Sequence, residues 1–134
     1  MPLVRIDLRQ GKPAAYVRAV GDAVHAAMHE TLGVPLRDQF QVISEHRPEQ
    51  LVYDPNYLEV ERTDDLIIIQ VFLSAGRDAA QKQAFYARLA ALLQEKPGVR
   101  PQDVIINLVE DKREDWSFGN GVAQYLVLPK EQWR

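Results

Sequence analysis

Three residues of this chain, an amine, a guanidinium and a carboxylate in type, could together form an acid–base site. The second residue is Pro2. Methionine aminopeptidases remove an initiator methionine that precedes a small residue, and loss of Met1 would leave Pro2 as a secondary amine. An α-amino group titrates at about 7.7–8.0, so it can give or take a proton at working pH. Arg77 offers a planar guanidinium able to hold a carboxylate through two N–H donors. Asp38 offers a carboxylate. By themselves Asp38 and Arg77 read as a solvated turn acid and a turn base, and Met-Pro as an ordinary start. They acquire meaning if the fold carries them to one place.

The elements that must do so form an internal repeat. Sliding the sequence by 65 positions aligns residues 2–45 with 67–110 without a gap, with 11 of 44 pairs identical, four of them Ala-Ala. Leu8 meets Leu73, Gly11 meets Gly76, Lys12 meets Arg77, Gly33-Val34 meets Gly98-Val99, Asp38 meets Asp103 and Glu45 meets Glu110. Each half begins with a β-branched-rich run of strand length, Leu3 to Leu8 and Leu66 to Leu73. The second run is apolar on both faces, as a central, covered strand would be. Pro13 and Asp78 suit helix starts. Val17, Val20, Val24, Met28 and Thr31 then make a helical stripe, as do Phe85, Leu89 and Leu92 with Tyr86 and Leu93 beside them. Gly33 and Gly98 suit helix ends. Second strands follow at 39–46 and 104–109.

The pattern predicts one α+β (two-layer α/β) domain over residues 1–134. It comprises a first β-α-β unit at 2–46, a linker at 47–65, a second β-α-β unit at 66–110 and a C-terminal hairpin and tail at 111–134. The hairpin is expected from the Phe118-Gly119-Asn120-Gly121 turn and a short strand near Ala123 to Leu128. Right-handed crossovers put both helices on one face of a four-stranded mixed sheet. The other face is left bare, and oligomerisation is the simplest cover for it. If the units pair about a pseudo-twofold axis, strand 2–8 runs antiparallel to strand 66–74. Pro2 then lies beside Ala75-Gly76-Arg77, with Asp38 leading the neighbouring parallel strand. The opposite edge offers Ile67, Lys12 and Asp103. Ile67 is mid-chain and has no free amine, so only the first edge suits proline chemistry.

Composition narrows the remaining classes. The 134 residues are 46% hydrophobic and 26% charged, with net charge −3, which fits a globular domain and gives no general basic surface for nucleic acid. No cysteine is present, which excludes disulfides, thiolate ligands and cysteine nucleophiles. No targeting segment and no membrane span is expected, so a cytoplasmic protein is the default expectation. His25 and His29 have metal-pair spacing, but the run His25-Ala26-Ala27-Met28-His29 lacks the glutamate of the zinc motif, and no third ligand is evident. A helix-edge role suits them better. His46-Arg47-Pro48 follows a strand and reads as a turn or as the margin of the site. No organic cofactor and no metal is expected.

The order Pro2, Gly33-Val34-Pro35 with Asp38, Ser44-Glu45-His46-Arg47-Pro48, Gly76-Arg77 with Gln81-Lys82, and Asp115-Trp116-Ser117-Phe118-Gly119 resembles the tautomerase superfamily. Within it the chain most resembles the malonate semialdehyde decarboxylase group, from residue 2 to about residue 126. The resemblance implies a β-α-β homotrimer in which Pro2 is the catalytic acid or base. It implies that Arg77 binds the substrate carboxylate and that Asp38 orients water or supports the charged proline. Trp116, Phe118 and Tyr125 fall at hydrophobic-wall positions. The run Ala75-Gly76-Arg77 carries one arginine where the decarboxylase pattern has two. A small 3-oxo or unsaturated carboxylic acid is the expected substrate, with decarboxylation the expected reaction and hydration beside it. A protonated Pro2 would stabilise the charge that develops on the 3-oxygen. A neutral Pro2 would instead give keto-enol tautomerase chemistry on 2-oxo acids. Asp38 favours the cation and Arg77 disfavours it. Retention of Met1 would leave a non-catalytic trimeric paralogue.

Overall fold

The computed structural model describes residues 2–133. Met1, whose removal chemistry at Pro2 requires, lies outside them. The chain runs through β1 (Leu3–Arg9), α1 (Ala14–Leu32), β2 (Gln41–His46), β3 (Ile67–Ser74), α2 (Ala79–Glu95) and β4 (Val104–Asp111), then a short helix α3 (Gln124–Val127). The sheet order is β2-β1-β3-β4. β1 is parallel to β2 and antiparallel to β3, and β3 is parallel to β4. Arg5 and Gln70 occupy equivalent positions in the two units and pair with each other. The pseudo-twofold axis therefore passes between them.

Strand alternation explains which face is buried. Val4, Ile6 and Leu8 of β1 and Ile67, Ile69, Val71 and Leu73 of β3 are all at most 2% exposed. They pack against Val20, Val24 and Met28 of α1 and Phe85, Leu89 and Leu93 of α2. The buried stripe of α2 is thus 85/89/93, with Leu92 and Tyr86 at its margin. Burying such large aliphatic and aromatic side chains contributes about 1.5–3 kcal/mol each, so this single cluster dominates the stability of the domain. The alternate residues Leu3, Ile68 and Phe72 are only partly buried. They lie on the face that no helix covers. The apolar run of β3 therefore reflects a central strand with one face covered within the chain and the other left open. No helix among the described residues is long and apolar enough to cross a membrane.

Helix ends follow local chemistry. Gly33 closes α1 at φ 71°, a left-handed conformation that glycine adopts without a Cβ clash. Asp78 caps α2, accepting from the Gln81 N–H at 2.8 Å while its own N–H donates to Gln81 Oε1 at 3.2 Å. α2 stops at Glu95, before Pro97 and short of Gly98, because the residue preceding a proline is pushed out of helical conformation.

The expected C-terminal hairpin does not form. Asn-Gly at 120–121 signals a tight reversal, but Gly119, Asn120 and Gly121 all have positive φ. Gln124 then closes the loop on itself: its Oε1 accepts the Phe118 N–H at 2.8 Å and its Nε2 donates to Gly119 O at 2.9 Å. The chain coils directly into α3. Among the described residues no strand follows Asp111.

Candidate active site

The register of the sheet brings the start of β1 to the ends of two neighbours. Leu3 pairs with Phe72, and the Val4 N–H donates to Phe40 O at 3.0 Å. Pro2 therefore lies beside the C-terminal end of β3 and beside the turn that precedes β2. That turn is closed by the Asp38 N–H donating to Pro35 O at 3.0 Å. It follows directly from the Gly33 cap, so the end of α1 places Asp38.

Arg77 is held by backbone. Its Nε and Nη2 donate to Leu32 O at 3.3 and 3.0 Å, and its Nη1 donates to Ser74 O at 3.1 Å. Leu32 is the last residue of α1, so its carbonyl lacks a helical partner and lies at the negative end of the helix dipole. Three of the five guanidinium N–H groups are thereby engaged, and the head is fixed with two N–H groups remaining for a ligand.

Two cavities meet here. One, of about 410 Å³, is lined by Asp38, Ser74, Arg77, Arg113, Tyr125 and Trp133, among others. The second, of about 350 Å³, is lined by Arg37, Asp38, Phe40, Phe118, Tyr125 and Trp133, among others. Asp38, Tyr125 and Trp133 belong to both. Of the residues singled out in the sequence, Asp38, Arg77 and Tyr125 thus share one cavity, and Phe118 lines the next. Trp116 stands one layer back. Its ring stacks on Phe118 with centroids 5.5 Å apart, and its indole N–H donates to Asp111 Oδ1 at 2.7 Å. Phe118 meets Tyr125 edge-on at 5.1 Å, and Tyr125 meets Trp133 edge-on at 4.8 Å. Pro2 is buried at this edge, outside the walls of both cavities.

The electrostatics follow from partial burial. Burial pushes the Asp38 carboxyl above the ordinary value, opposed by the positive charges of His25 and Arg77. Burial also pushes the Tyr125 phenol up to about 12; the charge of Asp38 adds to this, and Arg77 and Arg113 oppose it. Tyr125 is therefore a neutral hydroxyl at any working pH. It sits where two carboxylates, Asp38 and Asp111, and two guanidinium groups, Arg77 and Arg113, all act on it.

The opposite edge of the sheet is closed. Asp103, the repeat equivalent of Asp38, is fully buried rather than solvated. It accepts from the Thr63 N–H and the Thr63 hydroxyl, both at 2.7 Å. Lys12, the equivalent of Arg77, pairs with Asp65 at 2.7 Å. Thr63 and Asp65 both belong to the 47–65 linker, which fills the site that pseudo-symmetry would otherwise have duplicated. His46 and Arg47 lie at the far end of β2 from Asp38. His46 Nε2 contacts Asp7 Oδ1 at 2.6 Å and Arg47 pairs with Glu49 at 2.8 Å, so neither reaches the candidate site. His25 Nε2 and His29 Nδ1 face Leu36 O at 2.8 Å and Val34 O at 2.7 Å. These contacts tie the α1 helix to the turn that carries Asp38.

Four residues of the site escape sequence reasoning. Ser74 ends β3 with a buried hydroxyl that has no hydrogen-bond partner among the described residues. Phe40 lies 6.4 Å from Phe118. Trp133 closes the aromatic row from the C-terminus. Arg113 lies over Trp133, its Cζ 4.9 Å from the ring centroid. Arg113 is embedded in the charged run Glu110-Asp111-Lys112-Arg113-Glu114-Asp115, which reads as a solvated segment. Nothing local distinguishes it.

Comparison with known proteins shows the family and the fold. The profile of a tautomerase enzyme family matches residues 38–119, and a second tautomerase enzyme profile matches residues 2–61. The chain is 43% identical to the probable tautomerase YusQ of Bacillus subtilis (strain 168), covering 94% of this chain and 99% of that protein. It superimposes on a malonate semialdehyde decarboxylase structure with TM-score 0.87 at 37% identity, covering 92% of this chain and 95% of the other. It superimposes on the FG41 malonate semialdehyde decarboxylase inhibited by 3-bromopropiolate with TM-score 0.88 at 38% identity, covering 95% and 99%. The chain belongs to the tautomerase superfamily of enzymes, in the group that resembles malonate semialdehyde decarboxylase.

Proposed function

We propose that this protein is an amino-terminal-proline enzyme that decarboxylates a small 3-oxo acid of the malonate semialdehyde type. The observation that carries the reading is the shared cavity of Asp38, Arg77 and Tyr125 at the edge where β1 begins. The likeness to two malonate semialdehyde decarboxylases supports it. In this reading Met1 is removed and Pro2 is a secondary ammonium supported by Asp38. Arg77 holds the substrate carboxylate through its two remaining N–H groups. The bond between the carboxylate carbon and C2 breaks, and its electron pair moves toward C3 and the carbonyl oxygen. Pro2 donates a hydrogen bond to that oxygen as charge develops on it, and the neutral Tyr125 hydroxyl stands near as a second donor. Carbon dioxide leaves, and C2 takes up one proton to give the aldehyde. The aromatic row of Phe118, Tyr125 and Trp133 keeps water away, which strengthens each of these contacts. A homotrimer that covers the open sheet face around Leu3, Ile68 and Phe72 belongs to the same reading.

The likeness to a probable tautomerase favours a second reading. A neutral Pro2 would then act as a base, moving a proton alpha to the carbonyl of a 2-oxo acid. One experiment separates the two. Enzyme shown by intact mass to begin at Pro2 is mixed with malonate semialdehyde and followed by proton NMR, beside Pro2→Ala. Conversion to acetaldehyde that the variant loses supports decarboxylation. No conversion, with enol–keto exchange of a 2-oxo acid instead, overturns it in favour of the tautomerase. Neither activity in processed enzyme leaves the non-catalytic paralogue.

A further inference from the structure

Arg113 comes to the Arg77 cavity from outside the β-α-β repeat. It opens the 3-10 turn Arg113–Asp115 after β4, and its guanidinium rests on the face of Trp133 at 4.9 Å. Two of the acids that flank it in sequence are otherwise engaged. Asp111 accepts the Trp116 indole N–H, and Asp115 accepts the Lys112 backbone N–H. Among the described residues the Arg113 side chain has no carboxylate within ion-pair distance. A guanidinium on an aromatic face keeps its charge, and the ring limits the freedom it must lose on binding.

Charge and size then point the same way. The cavity wall carries two guanidinium groups against one carboxylate, Asp38. Its volume is about 410 Å³. At roughly 30 Å³ per water-sized group this is room for about a dozen heavy atoms, well beyond a three-carbon oxo acid. A substrate with one carboxylate needs one of the two cations. The other is placed for a second anion.

We infer that Arg113 is a specificity-determining residue that binds a second anionic group, so that this site favours small oxo-dicarboxylates over monocarboxylates. The inference rests on the reading of Arg77 as the anchor of the first carboxylate. Arg113 and Arg77 hold the two ends of such a ligand, with the reacting carbonyl between them.

The test is a binding measurement, independent of turnover. Succinate and butyrate are titrated calorimetrically at constant ionic strength into processed enzyme and into Arg113→Gln, Arg113→Lys and Trp133→Leu. One added charge-assisted contact is worth about tenfold in affinity, so succinate binds about tenfold more tightly than butyrate. The ratio collapses to about one in Arg113→Gln. It takes an intermediate value in Arg113→Lys, because an ammonium does not stack as a guanidinium does. It also falls in Trp133→Leu, which keeps the charge and removes its platform. Equal affinities in the parent protein, or a ratio that survives Arg113→Gln, overturn the inference. So does an equal loss for both probes in Arg113→Gln, which would place both arginines on one carboxylate. Arg77→Gln serves as the separate control. If it leaves both probes bound as before, the anchor reading fails, whatever Arg113 does.

Discussion

Replacing Arg77 by lysine separates its two roles. The guanidinium spans Leu32 O and Ser74 O through three N–H donors and keeps two for the cavity. A lysine ammonium is a single point with three donors and no fork. It can satisfy one carbonyl, or turn to the ligand, and cannot do both as arginine does. At least one backbone carbonyl at the end of α1 or β3 therefore loses a charge-assisted hydrogen bond. The side chain is only half-buried, so water replaces part of the loss, and the cost is about 1–2 kcal/mol. With a urea slope of about 2 kcal/mol/M, the unfolding midpoint falls by about 0.5–1 M. Trp133 stands in the aromatic wall and Trp116 stacks behind it on Phe118, so their fluorescence reports the transition. Protein concentration is held fixed against any contribution from assembly. Butyrate affinity, measured by calorimetry on the same samples, falls about tenfold as the bidentate geometry is lost. An unchanged midpoint with lost binding would show that the carbonyl anchors carry no energy. A lowered midpoint with unchanged binding would show that this cation does not meet the carboxylate. Either result refutes the argument.

Three further outcomes follow from the same geometry. Asp38→Asn removes a carboxylate whose ionisation burial opposes. A carboxyl raised in the folded state contributes stability in acid that is lost as pH rises. The variant should therefore unfold at a higher urea midpoint than the parent at pH 7, lose that advantage below the unfolded-state carboxyl value, and lose turnover throughout. Asp103→Ala leaves the Thr63 N–H and hydroxyl without their partner. It should cost about 2–4 kcal/mol in urea unfolding while kcat stays within about twofold, because the linker edge holds no substrate. Tyr125→Phe keeps the wall and removes a hydroxyl that stays protonated up to about 12. kcat should fall about tenfold with no change in the alkaline limb of the pH profile. A shifted limb would show that the phenol titrates in the working range.

Much of this protein was legible in its sequence, because its fold is written twice. The 65-residue repeat carried strand, helix and strand in each half, and the pairing of Arg5 with Gln70 is that repeat closing on itself. Alternation in β3 and the 3.6-residue stripes of the helices specify faces that must be buried, and burial is a local property of pattern. The convergence of Pro2, Asp38 and Arg77 on one edge followed from antiparallel pairing of the units. The Asn120-Gly121 signal misled because a side chain, Gln124, closed the turn before a second strand could pair. What the residue order could not contain was the content of the two edges. Asp38 and Asp103 are equivalent by repeat, yet one walls an open cavity while Thr63 of the linker takes up the other. Arg113 looks like any charge in a solvated run until Trp133, 20 positions away, slides beneath it. Periodicity reports which side of an element turns inward. The meeting of distant loops at a sheet edge depends on how both chain segments pack, and that is decided only when the whole core has formed.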